Sequence, residues 1–195
     1  QNLIKLKIGD ARIDDISDTR LSMQHLKVTQ QEVFATHNNQ YVQLIPLTPN
    51  TSFQTTGTAR GTVRERALMF VILAGMDGID AKALEKVMSY GALRAWPYWL
   101  DKYRTAVNEC HNEKEEYPDN IRQQIKEYDA FRQLQEYLDG KSTIEAKKVI
   151  ADLRQMFALI SVGMLDPELV IMDEFQRFQF MINHAQGETG ILVRK

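Results

Sequence analysis

The sequence predicts an α/β fold of predominantly helical content, and three observations predict it. Leu169, Val170, Ile171 and Met172 form an unbroken apolar run between Pro167 and the acids Asp173 and Glu174. A short run of this kind, apolar without alternation, has the pattern of a strand buried on both faces, as in a parallel sheet. Tyr41–Leu47, with Val42, Leu44, Ile45 and Leu47, reads as another strand, and Pro46 inside it argues for a strand end or an edge. Between these two stretches, apolar residues recur three and four apart over most of the chain, the spacing of helices that bury one face.

Composition sets the frame. A chain of 195 residues is long enough for one domain with a sizeable core, and 44% hydrophobic with 26% charged residues is ordinary for a globular protein. The formal net charge of −2 supplies no global basic field, so contact with nucleic acid would have to come from a local patch or from a larger polypeptide. The one cysteine, Cys110, excludes an internal disulfide and fits a reducing compartment. There is no apolar run of membrane-spanning length and no signal-peptide pattern, so a cytoplasmic location is expected. The chain starts at Gln1 rather than at a methionine, as an excised piece would.

In order, Leu3–Ile8 alternates apolar residues with Lys5 and Lys7 and reads as a half-buried edge strand. The acidic stretch 9–20 lacks the order of a calcium loop and reads as a solvated turn. Asp18 or Thr19 is placed to cap a short helix through Phe34. Thr48, Pro49 and Asn50 are turn chemistry. Thr55–Gly61 is rich in hydroxyls and glycine, but no G-x-x-x-x-G-K-[ST] phosphate loop exists anywhere in the chain. Arg60, Arg64 and Arg66 make a basic cluster that either meets phosphate or forms the solvated side of a helix start.

Arg64–Met76 is apolar nearly all round, as a buried helix is, and Gly75 and Gly78 punctuate its end. Helices follow over Asp80–Tyr90 and over Leu93–Asn108, the second interrupted by Pro97. Trp96, Tyr98, Trp99 and Tyr103 within it suit core packing, and aromatics of this kind also stack on unpaired bases. Cys110 and His111 do not make a zinc site, which takes four ligands in a recognisable spacing. One helix is predicted over Asp119–Leu138, ended by Asp139-Gly140, and another after Ser142, which stands three residues before Glu145 in capping-box order. These two helices are expected to pack as an antiparallel pair.

The acids Asp173 and Glu174 carry the chemistry. Acids at the carboxyl end of a buried strand stand where open α/β sheets bind their ligands. A first carboxylate there can hold Mg²⁺, usually through water, beside a nucleotide's phosphates. A second, one residue on, can position or deprotonate the water that attacks the γ-phosphate. A strand running into a helix N-terminus accounts for the same two acids, because the helix dipole favours them there.

The longer string shifts the balance toward the first. LVIMDEFQRF, Leu169–Phe178, closely resembles the Walker B box (motif II, DExx type) of bacterial superfamily-two helicases of the Snf-type, DEAD/DEAH-like group. In that group a helix runs into a short loop, the strand and then the box; here 146–164 supplies the helix and 165–168 the loop. LIPLTPNTSFQTTGTARGTVRERALMF, Leu44–Phe70, looks like the segment upstream of motif II in the same proteins. With the intervening helices, the resemblance covers about two thirds of the chain.

The resemblance implies a piece of the first RecA-like lobe: a partial parallel sheet plus a helical insertion subdomain. Residues 1–60 would be the first part of the lobe, 61–165 the insertion, and 166–195 the return to the lobe. It implies ATP and Mg²⁺ as cofactors of the parent protein, with Asp173 on the Mg²⁺ through water and Glu174 as the base that orients the attacking water. Gln176 would bind the nucleotide with Asp173 and, with Arg177, face the lobe interface. Thr48, Thr51 and Ser52 fall near motif Ib, which grips a nucleic-acid phosphate; as residues of a Thr-Pro turn they also need no further role. Arg60 joins them as a candidate DNA contact.

A helicase of this group also needs a P-loop lysine and an arginine finger from a second RecA-like lobe. This sequence has neither, nor an S-A-T box after motif II. The expected partners are therefore DNA, the missing P-loop segment and the second lobe of the same polypeptide, with no membrane. The fragment by itself is expected to be inactive and to bind no cofactor tightly. The alternative is a complete, mostly helical nucleic-acid-binding or scaffold protein without catalytic activity, in which Asp173 and Glu174 cap a helix.

Overall fold

The N-terminus of the buried helix explains how the fold is assembled. The computed structural model describes residues 21–26, 60–92, 94–113 and 116–164. Helix α1, Val63–Leu73, starts at Thr62, whose hydroxyl accepts from the Glu65 amide at 3.2 Å while the Glu65 carboxylate accepts from the Thr62 amide at 3.2 Å. This reciprocal cap satisfies two donors that a helix start otherwise leaves open. Ala67, Leu68, Met69, Phe70, Ile72 and Leu73 of α1 are all buried. A helix that is apolar all round has to be covered on every side. Here the covering elements are α2 (Ala81–Met88), α3 (Trp96–Glu113), α4 (Asp119–Ile125), α6 (Ala146–Met164) and the 3₁₀ turn Leu21–Met23. α5, Asp129–Leu138, lies against α6.

The expected α/β arrangement with a partial RecA-like parallel sheet is corrected here. The described residues are helical, and there is no strand among them. The physical reason lies in α1 and α6, which bury their apolar surface against other helices, so no sheet is needed to cover them. The strands expected at Leu3–Ile8, Tyr41–Leu47 and Leu169–Met172 lie outside the described residues. So does the helix expected to reach Phe34, apart from Leu21–Leu26.

Three helix boundaries differ from the sequence reading, each for a local reason. Pro97 does not interrupt α3. It is the second residue of the helix, where its missing N–H leaves no bond unmade, and the helix runs on to Glu113. The helix expected over Asp119–Leu138 is two helices, parted at Lys126–Tyr128. The break lets Ile121 and Ile125 point into the core on α4 while Phe131 and Leu134 do so on α5, which follows a different course against α6. Ser142 does not cap α6. Its hydroxyl accepts from the Ile144 amide at 3.2 Å, a local turn, and the helix begins at Ala146.

Arginines tie helix ends to their neighbours. The Arg66 guanidinium of α1 donates to the Met88 and Tyr90 carbonyls where α2 ends. Arg122 of α4 donates from Nε to the Ile72 carbonyl at 3.0 Å, near the end of α1. Cationic donors at helix C-termini satisfy carbonyls and complement the dipole. Gly75 stands so close to Arg122 that a Cβ there would collide with the guanidinium. Trp96 Nε1 donates to the Glu85 carboxylate at 3.0 Å and so links α3 to α2.

One hydrophobic core runs through α1 to α6 and takes in Met23 and Leu26. Leu21 packs with Ala158 and Val162 of α6 in a smaller cluster. Among the described residues no helix is long and apolar enough to cross a membrane.

Candidate functional site

Of the residues that the sequence marks as candidates, Thr48, Thr51, Ser52, Asp173, Glu174 and Gln176 lie outside the described residues, and Arg60 lies within them. Arg60 stands just before α1, and its guanidinium carbon sits 4.2 Å from the centroid of the Tyr90 ring. Four residues on, in the first turn of α1, the Arg64 guanidinium carbon is 4.4 Å from the Trp99 ring centroid. Lys102 Nζ approaches the same indole at 5.4 Å. Tyr98 meets Trp99 edge-on at 4.9 Å and Tyr103 lies beyond it at 6.0 Å.

The aromatic group of α3 is thus divided. Trp96 and Tyr103 are buried, whereas Tyr98 is 62% exposed and Tyr90, after α2, is 63% exposed. These are the two exposed large hydrophobic side chains among the described residues. Tyr90 lies under the Arg60 guanidinium, and Tyr98 packs against the Trp99 indole that Arg64 and Lys102 approach. Burial raises the Tyr103 phenol above its ordinary value, opposed by the charge and hydrogen bond of Arg64. Burial lowers Arg66, the nearby charge of Arg60 lowers it further, and Glu65 opposes both. The sequence pointed to Arg60, Arg64, Tyr98 and Trp99. It did not single out Tyr90, whose only signal is a bulky aromatic in a turn just before Gly91.

Beneath this face lies a buried polar network. Glu65, 1% exposed, accepts from Arg154 Nε of α6 at 2.9 Å and from the Ser22 hydroxyl. Gly61, at φ +69°, lies against the pair, and a Cβ there would collide with the Glu65 carboxylate and the Arg154 guanidinium. The sequence reading, which began this helix at Arg64, singled out neither the cap Thr62-x-x-Glu65 nor Arg154, 89 positions from Glu65. A second buried group surrounds His25. Its Nδ1 is 3.3 Å from the Tyr117 hydroxyl, its backbone N–H donates to the Ser161 hydroxyl at 3.1 Å, and the Phe157 ring lies 5.4 Å away. Burial lowers the His25 imidazole from 6.5 to about 3, which keeps it neutral. Tyr117 is raised well above its ordinary value, mainly by burial.

These two networks join elements together. Glu65 is occupied by its cap and its ion pair, and neutral His25 is sealed from solvent, so neither is placed to exchange protons with a substrate. Cys110 is equally inert: burial, then Glu109, push its thiol up to about 11. Among the described residues no group of three His, Cys, Asp or Glu side chains could hold a metal ion. The described surface presents cations beside exposed rings. Comparison with protein families, with curated proteins and with solved structures finds no match to this chain.

Proposed function

We propose that the chain is part of an ATP-dependent DNA helicase or translocase, in which nucleotide hydrolysis drives movement along nucleic acid. The single observation that carries the reading is the string Leu169–Phe178, where two adjacent acids follow an apolar run and are themselves followed by Gln176 and Arg177. In this reading Asp173 holds the magnesium nucleotide through water, and Glu174 takes the proton of the water that attacks the γ-phosphate. The nucleotide supplies the phosphoanhydride bond whose cleavage drives the cycle. A P-loop lysine and an arginine finger, absent from this sequence, would come from further polypeptide.

The reading is tested in the intact polypeptide. Glu174→Gln is expected to lower DNA-stimulated ATP hydrolysis by roughly a hundredfold or more while nucleotide still binds. Unchanged turnover would remove Glu174 from this role. The 195-residue chain alone is expected to hydrolyse no ATP, and robust DNA-stimulated activity from it would overturn the fragment reading.

One observation favours the alternative, a mostly helical nucleic-acid-binding or scaffold protein: the described helices bury their apolar faces against one another around a continuous core. The gene on either side discriminates. A P-loop encoded upstream and an S-A-T box downstream exclude the alternative; neighbouring sequence without either excludes the motor.

A further inference from the structure

Tyr90 and Tyr98 are more than three-fifths exposed, Tyr90 beside Arg60 just before α1 and Tyr98 beside the Trp99 that Arg64 of the first turn of α1 approaches. Each belongs to a cation–aromatic group. One is Arg60 over Tyr90; the other is Arg64 and Lys102 about Trp99, with Tyr98 packed edge-on against that indole. Arg60 and Arg64 are four residues apart, so their backbones are separated by at most about 14 Å, the reach of a few nucleotides. The acid adjoining this face is Asp101, next to Lys102 in sequence and also exposed. On a chain of net charge −2, this is a local concentration of positive charge interleaved with flat rings.

From this arrangement we infer that the face formed by Arg60, Arg64, Tyr90, Tyr98 and Lys102 is a binding platform for single-stranded nucleic acid. Charge complementarity calls for a polyanion. The exposed rings call for one that carries a flat π-face beside each charge. A single strand offers both at a short regular repeat. A duplex keeps its bases stacked inside and offers only the charge, as does an acidic peptide. Tyr90 and Tyr98 are the stacking surfaces. Trp99 is already covered by Arg64, Lys102 and its aromatic neighbours, and serves to hold Tyr98 and the cations in place. Arg60, Arg64 and Lys102 meet phosphates. Binding here needs no nucleotide, so the platform stands apart from the ATPase reading; failure of Glu174 in its role would leave it intact.

Fluorescence anisotropy without nucleotide tests the platform. The whole chain is titrated into labelled oligothymidylate, oligouridylate and a DNA duplex of equal length, over a range of salt concentrations. The single strands are expected to bind more tightly than the duplex. A preference for one sugar supports the inference and identifies the strand as DNA or RNA. Tyr90→Ala with Tyr98→Ala is expected to weaken single-strand binding about tenfold or more, with circular dichroism unchanged. Tyr90→Phe with Tyr98→Phe keeps the rings and should bind like the parent. Arg60→Ala should reduce the log–log salt slope by about 0.7. The inference is overturned if the parent binds no single strand, if duplex or polyglutamate competes equally, or if the alanine pair binds unchanged.

Discussion

Glu65 is held by three parts of the chain at once. It closes the cap of α1 with Thr62, pairs with Arg154 of α6, and accepts from Ser22 in the turn before position 26. The side chains of Arg154 and Glu65 are 8% and 2% exposed, so removing one leaves the other's buried charge less compensated. Arg154→Met removes the cation in direct contact with a buried carboxylate and is expected to cost roughly 3–5 kcal/mol in urea denaturation. Adding Glu65→Gln should recover part of that loss, because an amide needs no counter-charge and still accepts from the Thr62 amide. If the double variant is less stable than Arg154→Met alone, the pair is not the source of the cost. The cap has the order of a capping box in Thr62-Val63-Arg64-Glu65 but was not singled out from the sequence, and nothing local to Arg154 distinguishes it from any other helical arginine.

α1 and α2 are started by side-chain caps and their ends are met by arginines from elsewhere, whereas α4 and α5 have no side-chain cap. Asp80 caps α2, accepting from the Lys82 amide at 2.9 Å and the Ala83 amide at 3.2 Å. Because the cap is exposed and α2 is only eight residues long, Asp80→Ala should cost about 1 kcal/mol. In a chain of this size that is a fall of about 2–4 °C in the thermal midpoint followed by circular dichroism. An unchanged midpoint would show that packing of Leu84 and Met88 alone sets the start of α2. The start of α2 at Asp80 was legible because a cap is a short-range hydrogen bond with a fixed offset, whereas the same offset at Ser142 and Glu145 made a turn and not a cap. The break between α4 and α5 was not legible. Ile121, Ile125, Tyr128, Phe131 and Leu134 continue one helical spacing across it, and Lys126-Glu127-Tyr128 contains no helix breaker. The choice between one straight helix and two short ones was made by the surfaces of α1 and α6, to which α4 and α5 conform.

At the scale of the whole molecule, the core joins Met23 and Leu26 to helices that begin beyond position 62, and His25 is carried into it between them. Burying a neutral imidazole makes folding sensitive to acid. The unfolded chain takes up a proton near pH 6.5, whereas the folded one resists until about pH 3. Between those limits the unfolded state binds more protons, so stability falls as pH falls. From pH 7 to pH 5 the contribution of His25 is a loss of about 2 kcal/mol. His25→Gln, compared with the parent by urea denaturation at the two pH values, should flatten that fall; an equal fall in both would place the sensitivity elsewhere.

Sequence alone determined the helical character of the span from Val63 to Met164, because periodicity, caps and glycine stops act within a few residues of one another. It also marked Arg60, Arg64 and Arg66 as a basic cluster and, separately, Trp96, Tyr98, Trp99 and Tyr103 as an aromatic one, since the members of each lie close together along the chain. Only the tertiary structure decided that Tyr98 faces solvent while Trp96 and Tyr103 go inside, that Tyr90 joins Arg60, and that Glu65 finds Arg154. Each of those outcomes depends on which helix surface lies opposite, and opposing surfaces are brought together by packing between residues tens of positions apart.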